Sequence, residues 1–192
     1  MQVFLPKWPS SHGSLWVLGI ALAYIVVWWL NSLAPAFLEV VENRVSLIHL
    51  PAFIRVAAVM IGGFAGWLGI WLGSVVLSLQ VVGDAPSVAV LHASATTLSV
   101  GVAAVVVATL LGKRSGCLNS INLKSMLLTA TAAALLNAVL HSWVWAAQAV
   151  TFTQAQFWMM VAGDLGGVAL GYLILRWSVR AFKRSVALKG PR

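Results

Sequence analysis

An all-α, polytopic integral membrane helical bundle is the fold class this sequence predicts, and three observations predict it. The chain is 61% hydrophobic. Only 8% of its 192 residues are charged, against roughly 25% in an average soluble domain. Its apolar residues also fall in long runs, several close to the ~20 residues that cross a hydrocarbon core as a helix. No stretch has the polar surface that a separate soluble domain would need. Residues 1–192 are therefore expected to form a single integral membrane domain with a basic cytoplasmic tail at about 178–192. No catalytic or signalling output domain is expected within them.

The first apolar run, Leu15–Leu30, follows Lys7 and precedes Asn31 and Pro35. Ala34-Pro35-Ala36 has the small-residue character of a signal-peptidase site. Trp28 and Trp29, however, close the run as an interfacial aromatic anchor does, so a retained first helix is expected. Pro35 to Leu50 carries Glu39, Glu42, Asn43 and Arg44 and is expected at the surface, as a short interfacial helix. Pro51 to Gly83 is then apolar apart from Arg55, Ser74, Ser78 and Gln80. As one straight helix it would run roughly 50 Å, well beyond a core of about 30 Å. Gly62-Gly63 and Gly66 offer a break, which predicts two short helices at about 52–64 and 66–82. Pro86–Leu111, Met126–Trp145 and Phe157–Leu175 supply the remaining spans. The expected total is about six, or five if the second helix is unbroken and tilted.

The formal charge of +8 resembles a nucleic-acid footprint, but its distribution argues otherwise. Arg176, Arg180, Lys183, Arg184, Lys189 and Arg192 follow the last apolar run, and Lys113, Arg114 and Lys124 flank one short loop. Basic residues gathered at two membrane edges are what the positive-inside rule expects of cytoplasmic segments. Six helices then place both termini in the cytoplasm, in a bacterial inner membrane. The loops at Asp84 and Gln148–Gln154, free of Lys and Arg, fall outside. Arg44 and Arg55 run against this arrangement. Contact of the basic tail with lipid headgroups is the main rival reading. The lipid bilayer is an expected partner and nucleic acid is not. Cys117 is the single cysteine, so no intrachain disulfide can form. It falls in the Lys113–Lys124 loop and is expected to be a bystander.

Glycine spacing marks the expected packing seams. Gly163, Gly167 and Gly171 form two consecutive small-x-x-x-small steps, and Gly62/Gly66 and Gly69/Gly73 supply further pairs. In lipid, helices associate through close backbone approach, so such faces are contact faces. Gly163-Asp164-Leu-Gly-Gly167 lacks the Lys-Ser/Thr of a phosphate loop.

The polar residues within the spans are the candidate site. Asp164 lies in Phe157–Leu175, where the phenol of Tyr172 is the only other ionisable group. A carboxylate there costs roughly 2.5–3.5 kcal/mol even on the lenient insertion scale, and chains that keep one generally pair it or use it. At about 1.5 Å per helical residue, Asp164 lies roughly 10 Å from the outer edge, His141 roughly 6–10 Å, His92 about 8 Å and Arg55 about 6 Å. That common depth predicts one outward-facing polar cavity. Asn137 and His141, spaced i,i+4, share a helix face. Arg55 is the obvious counter-ion of Asp164, with His141 the titratable alternative. Against these stand plainer roles: Asp164 locking helices together, His92 as an interfacial histidine, Arg55 snorkelling to headgroups. Axial haem ligation by His92 and His141 is the one cofactor left open; otherwise none is expected. No H-x-x-x-H or H-E-x-x-H spacing indicates zinc, and no serine nucleophile with a positioned base is recognisable. An enzyme is not expected. Trp67 and Trp71 share a face near Gly63 and Gly66 and are expected to pack rather than line a pocket.

His49-Leu-Pro-Ala-Phe-Ile-Arg55, then Gly62-Gly63 and Gly66-Trp67-Leu-Gly-Ile-Trp-Leu-Gly73-Ser74, resembles the paired-helix region of the membrane-associated sensor domains, first class. Gly163-Asp164-Leu-Gly-Gly167, after Trp158, resembles that family's closing Gly-Asp element. Together these stretches cover about a quarter of the chain. The resemblance implies an integral sensory module, in that family usually fused to an output domain. Asp164 falls on the family's Asp and Pro51 on its Pro. Phe53 stands where the family has Gly, and the helix number is lower.

The expected function is a small membrane sensory or ligand-binding module that passes a signal to a separate partner. Its partners would be a membrane protein or a second copy of itself, and a small-molecule ligand. The size and helix number also look like the substrate-binding component of a small-solute uptake system. A third reading is an accessory structural subunit whose glycine faces dock onto a larger membrane complex.

Overall fold

The computed structural model describes residues 13–33, 39–41, 45–112 and 123–188. Helix α1 is Gly13–Ser32. Strands β1 (Glu39–Val41) and β2 (Val45–Ser46) form a small antiparallel pair. Helix α2 is Pro51–Leu77, continued by a π-helical turn at Ser78–Val82; α3 is Pro86–Leu110, α4 Leu123–Ala147 and α5 Gln154–Leu188. Pro51 and Pro86 each stand in the first turn of their helix, where the missing N–H costs nothing. Gly83 and Gly112 take positive φ just past the helix ends, a conformation glycine adopts without strain. Five of the helices are long and apolar enough to cross a membrane. The chain is an all-α multi-pass membrane bundle.

Its packing is that of a protein in lipid. Ala52, Ala103, Ala130, Ala134 and Ala138 are buried at the helix contacts, whereas Leu15, Leu22, Leu91, Leu98, Leu127 and Leu173 face outward. Where the solvent is itself apolar, burying bulk gains little, and close approach of small residues holds the helices together.

The stretch from residue 51 to 82 departs from the expected pair of separate helices. It is one of five long elements rather than two of six, yet it is not straight. Gly63 breaks it with φ 54° and ψ −125°. Residues 51–62 and 64–82 then fold back on one another, so that a Cβ on Gly66 would collide with the carbonyl of Ala58. In a straight helix those residues would lie about 12 Å apart. Ile54 and Ala58 of the first arm join Ile70 and Leu77 of the second in a single cluster with Tyr24. Gly63 and Gly66 thus serve the fold-back, at the break expected near Gly62-Gly63 and Gly66, while Gly62 faces Ile20 of α1.

Gly69 and Gly73 seat α1. A Cβ on Gly69 would meet the carbonyl of Val17 and the side chain of Ile20, and one on Gly73 would meet Tyr24 and the carbonyl of Ala21. Both sequences advance together, so α1 runs parallel to the second arm of α2. Trp67 Nε1 donates to the Thr97 carbonyl (2.9 Å) and Trp71 Nε1 to Ser94 Oγ (3.3 Å), tying that arm antiparallel to α3. The two tryptophans pack helices, as expected. α4 and α5 then alternate in direction. The start of α1 and the end of α5 therefore lie on one face of the bundle.

The segment expected at the surface as an interfacial helix behaves differently. Its described part begins as the β1–β2 pair, and residues 47–50 then run inward without regular structure along α5. The His49 N–H donates to the Gly163 carbonyl (2.9 Å). A Cβ on Gly163 would collide with the Ser46 carbonyl, one on Gly167 with the His49 carbonyl, and one on Gly171 with the Phe53 ring. The α5 glycine seam therefore receives the chain's own irregular segment at Gly163 and Gly167, and the first turn of α2, through Phe53, at Gly171. Gly163 and Gly167 lie nine and thirteen residues past Gln154, about 14 and 20 Å along the helix. Non-helical backbone at such depth is tolerated only where protein or a cavity covers it, and both do so here. Leu50 N–H also donates to Asn31 Oδ1 (2.9 Å), anchoring the start of α2 to the end of α1.

α5 continues past Leu175, the end of the apolar span, as helix through Leu188. Most of the basic tail is thus a rod projecting from the bundle, with Arg176, Arg180, Lys183 and Arg184 all exposed. Lys7, the Ala34–Ala36 motif, Glu42, Asn43, Arg44, Lys113, Arg114, Cys117, Lys189 and Arg192 lie outside the described residues.

Candidate ligand cavity

Four helices bring the five expected residues together. Arg55 comes from the first arm of α2, His92 from α3, Asn137 and His141 from α4, and Asp164 from α5. All five line a single cavity of about 120 Å³. Its far wall is Tyr24 and Trp28 of α1, which the parallel packing of α1 brings to this level.

The floor is an ion pair. Arg55 Nη2 lies 2.5 Å from Asp164 Oδ1, with both residues 5% exposed. The expected counter-ion is the one found. It also removes the difficulty of an arginine far from the basic edge, because its charge is neutralised inside the bundle rather than at the membrane surface. The β-carbons of a helix tilt toward its N-terminus, so the long Arg55 side chain reaches back toward the level of Asp164. The second carboxylate oxygen accepts from Asn137 Nδ2 at 3.0 Å. Asn137 thus binds the carboxylate through its side chain, while its backbone carbonyl lies 3.0 Å from His141 Nδ1. Because a carbonyl can only accept, Nδ1 is the donor in that contact. Snorkelling of Arg55 to the headgroups is excluded by the same geometry.

Above the floor lie rings. His92 and His141 stand with centroids 5.2 Å apart and planes inclined by 30°, and Trp145 meets both edge-on. Gln148 Nε2 lies 3.3 Å from His92 Nε2. Two imidazoles stacked side by side, one nitrogen of each already engaged, do not face one another across an iron, so the arrangement gives the haem alternative no support. No group of three metal-ligating side chains occurs among the described residues.

At the mouth, the π-helical turn redirects the end of α2. Ser78 Oγ donates to Asp84 Oδ2 at 2.6 Å, and the Asp84 N–H donates to the Ser78 carbonyl at 3.0 Å. Both residues line the cavity, as does Ser74 one turn below. Single π turns recur at functional sites because they shift a helix face by a fraction of a turn.

Several lining residues carried no sequence signal of a site. Trp145 entered only as the end of a span and Tyr24 as part of an apolar run; His49 entered only through a family-like motif. Tyr24 was the most legible of these, being the sole polar side chain between Leu15 and Leu30. Among the described residues lining the cavity, three buried polar atoms have no partner: Ser74 Oγ, Asn137 Oδ1 and Trp145 Nε1. No protein-family model, no curated protein and no solved structure matches the chain.

Proposed function

We propose that the chain is a ligand-sensing membrane module, loaded from the face opposite its basic edge and read out through α5. One observation carries the reading: the residue that closes the cavity floor, Asp164, sits on the helix that leaves the bundle on the basic side. From Asp164 to Leu188 is twenty-four residues of unbroken helix, about 36 Å. A ligand that alters the Arg55–Asp164–Asn137 contacts acts on one end of a rod whose other end a partner can read. Such coupling needs only that ligand affinity differ between two positions of α5. The basic edge takes the cytoplasmic side of a bacterial inner membrane by the positive-inside rule. The resemblance to the membrane-associated sensor domains, at His49–Ser74 and Gly163–Gly167, points to the same class of function.

Native mass spectrometry of protein extracted gently from its own membrane tests this. A small-molecule adduct is expected, and it is expected to be lost in Asp164→Asn. A stable protein partner with no adduct would overturn the sensing reading in favour of an accessory subunit. Substrate accumulation dependent on a co-expressed ATPase pair would overturn it in favour of uptake.

A further inference from the structure

α5 carries a second surface, which the cavity does not use. Beyond the span, Arg176, Arg180, Lys183 and Arg184 are all exposed, and no acidic residue lies between Asp164 and Leu188. The chain has four acidic residues in all. Asp164 is spent on Arg55, Asp84 stands at the cavity mouth on the opposite face, and Glu39 and Glu42 lie between α1 and α2. The chain itself therefore offers these four cations no counter-charge.

Their placement around the helix is as informative as their sign. Trp158 and Arg176 are eighteen residues apart, five full turns at 3.6 residues per turn, so they point the same way. Within the span, Trp158, Ala162, Ala169 and Leu173 form an exposed stripe at steps of four, seven and four. Arg176, Arg180 and Arg184 continue that stripe at steps of three, four and four, with Lys183 beside them. The other side of α5 carries Asp164, Gly167 and Val168, buried against the bundle. The basic residues thus prolong the lipid-facing side of the helix and not its bundle-facing side.

Depth leads to the same place. Trp158 and Trp177 are both exposed and nineteen residues apart, about 28 Å along the helix, close to the ~30 Å of a hydrocarbon core. Indole rings collect at the two membrane interfaces, so Trp177 marks the edge on the basic side. Arg176 stands at that edge, and Arg184 lies seven residues past Trp177, about 10 Å beyond it. Helix side chains lean toward the N-terminus, here back toward the bilayer. All four cations therefore reach the layer that holds lipid phosphates.

We propose that this face of the α5 extension docks the headgroups of anionic phospholipids in the leaflet on the basic side. Arg pairs with phosphate oxygens through two parallel N–H bonds, and three of the four residues are arginines. A phospholipid matches an apolar stripe that runs into a basic one; an acidic protein would account only for the second part. The proposal goes beyond the sensing reading and stands whether or not the cavity holds a ligand. It gives the far end of α5 a hold on the membrane.

The test uses the full chain in nanodiscs of equal parts phosphatidylglycerol and phosphatidylcholine, with the lipids still attached after release identified by native mass spectrometry. Wild-type protein is expected to retain phosphatidylglycerol in preference. Each basic side chain near an anionic surface favours association about fivefold, so replacing all four by Gln is expected to cut that preference more than about tenfold. The unfolding temperature should not change, because these side chains lie beyond the packed bundle. A second variant keeps the net charge and moves it, combining Arg176→Gln and Arg180→Gln with Val179→Arg and Phe182→Arg. Its preference is expected to fall about tenfold as well. Equal retention of the two lipids by wild type would overturn the proposal. So would full preference in the charge-moved variant, since net charge alone would then suffice. Unchanged lipid preference in the four-Gln variant, with loss of a co-purifying acidic protein, would overturn it in favour of a protein partner.

Discussion

Two glycine seams in this molecule share a sequence signature and do different work. On the second arm of α2, Gly69 and Gly73 admit another helix, with α1 lying parallel over them. On α5, Gly163 and Gly167 admit a stretch of irregular backbone, and only Gly171 meets a helix, at the Phe53 ring of α2. Small-x-x-x-small spacing reports that something comes close; it does not report what. The difference has a functional side, because the α5 seam steers residues 46–50 inward and so delivers Arg55 to Asp164. The α2 seam brings Tyr24 and Trp28 to the cavity wall but leaves its floor alone.

The sharpest way to break the comparison is Gly167→Leu. Its side chain would need the space held by the His49 carbonyl and the Leu50 N–H. Backbone cannot yield as a side-chain tip does, so residues 46–50 should lift away and Arg55 should lose its partner. We expect almost no monodisperse protein after detergent extraction, measured by fluorescence-detected size exclusion. Recovery equal to wild type would mean that the segment has another way in.

Removing the charge pair from one side is expected to rank next. Asp164→Ala leaves a buried guanidinium uncompensated and should cost about 3–5 kcal/mol, measured by reversible unfolding in mixed micelles. The double variant Arg55→Met, Asp164→Leu should recover most of that loss while losing the cavity floor. A double variant no better than the single would show that the pair contributes far beyond the mutual cancellation of its charges.

Gly69→Leu addresses the other seam. It forces α1 outward at Val17 and Ile20, and overpacking of this kind typically costs about 1–3 kcal/mol. The Arg55–Asp164 floor should survive, so the variant is expected to fold with a lower unfolding temperature. If Gly69→Leu and Gly167→Leu proved equally damaging, the distinction between the seams would collapse.

The smallest effect belongs to Gly166→Ala, one step off the α5 seam. Its new methyl would sit 3.5 Å from the Leu47 carbonyl, an ordinary contact. Stability should change by less than about 0.5 kcal/mol or rise slightly, since alanine favours helix over glycine. A large loss would mean that the irregular segment is held more tightly than its neighbours imply.

The sequence made the cavity's floor legible for a simple reason. Spans are rods of fixed rise, so counting residues from their ends places polar groups at depths, and Arg55, His92, His141 and Asp164 fell at similar ones; for Arg55 the count took α2 to start at the membrane edge, whereas it starts beside Gly167. It also located the break near Gly62-Gly63, because glycine pairs interrupt apolar runs. It did not reveal that the two arms belong to one long element. It also left the path of residues 46–50 unread, since a segment with no periodicity has no face to assign. Tyr24 and Trp145 escaped for a different cause: an aromatic residue in an apolar run reads the same whether it faces lipid, a neighbour or a cavity. Lys113, Arg114 and Cys117 lie outside the described residues, so their expected places are neither met nor missed.

The break at Gly63 also governs parity. Five uninterrupted crossings would leave the two ends of a chain in different compartments. The returning arm of α2 restores an even number of passages, so reporters fused ahead of α1 and behind α5 should be exposed to the same compartment. A single glycine in an unusual conformation thus stands between two opposite topologies. It is the position at which a straightening substitution would invert one part of the protein against the rest.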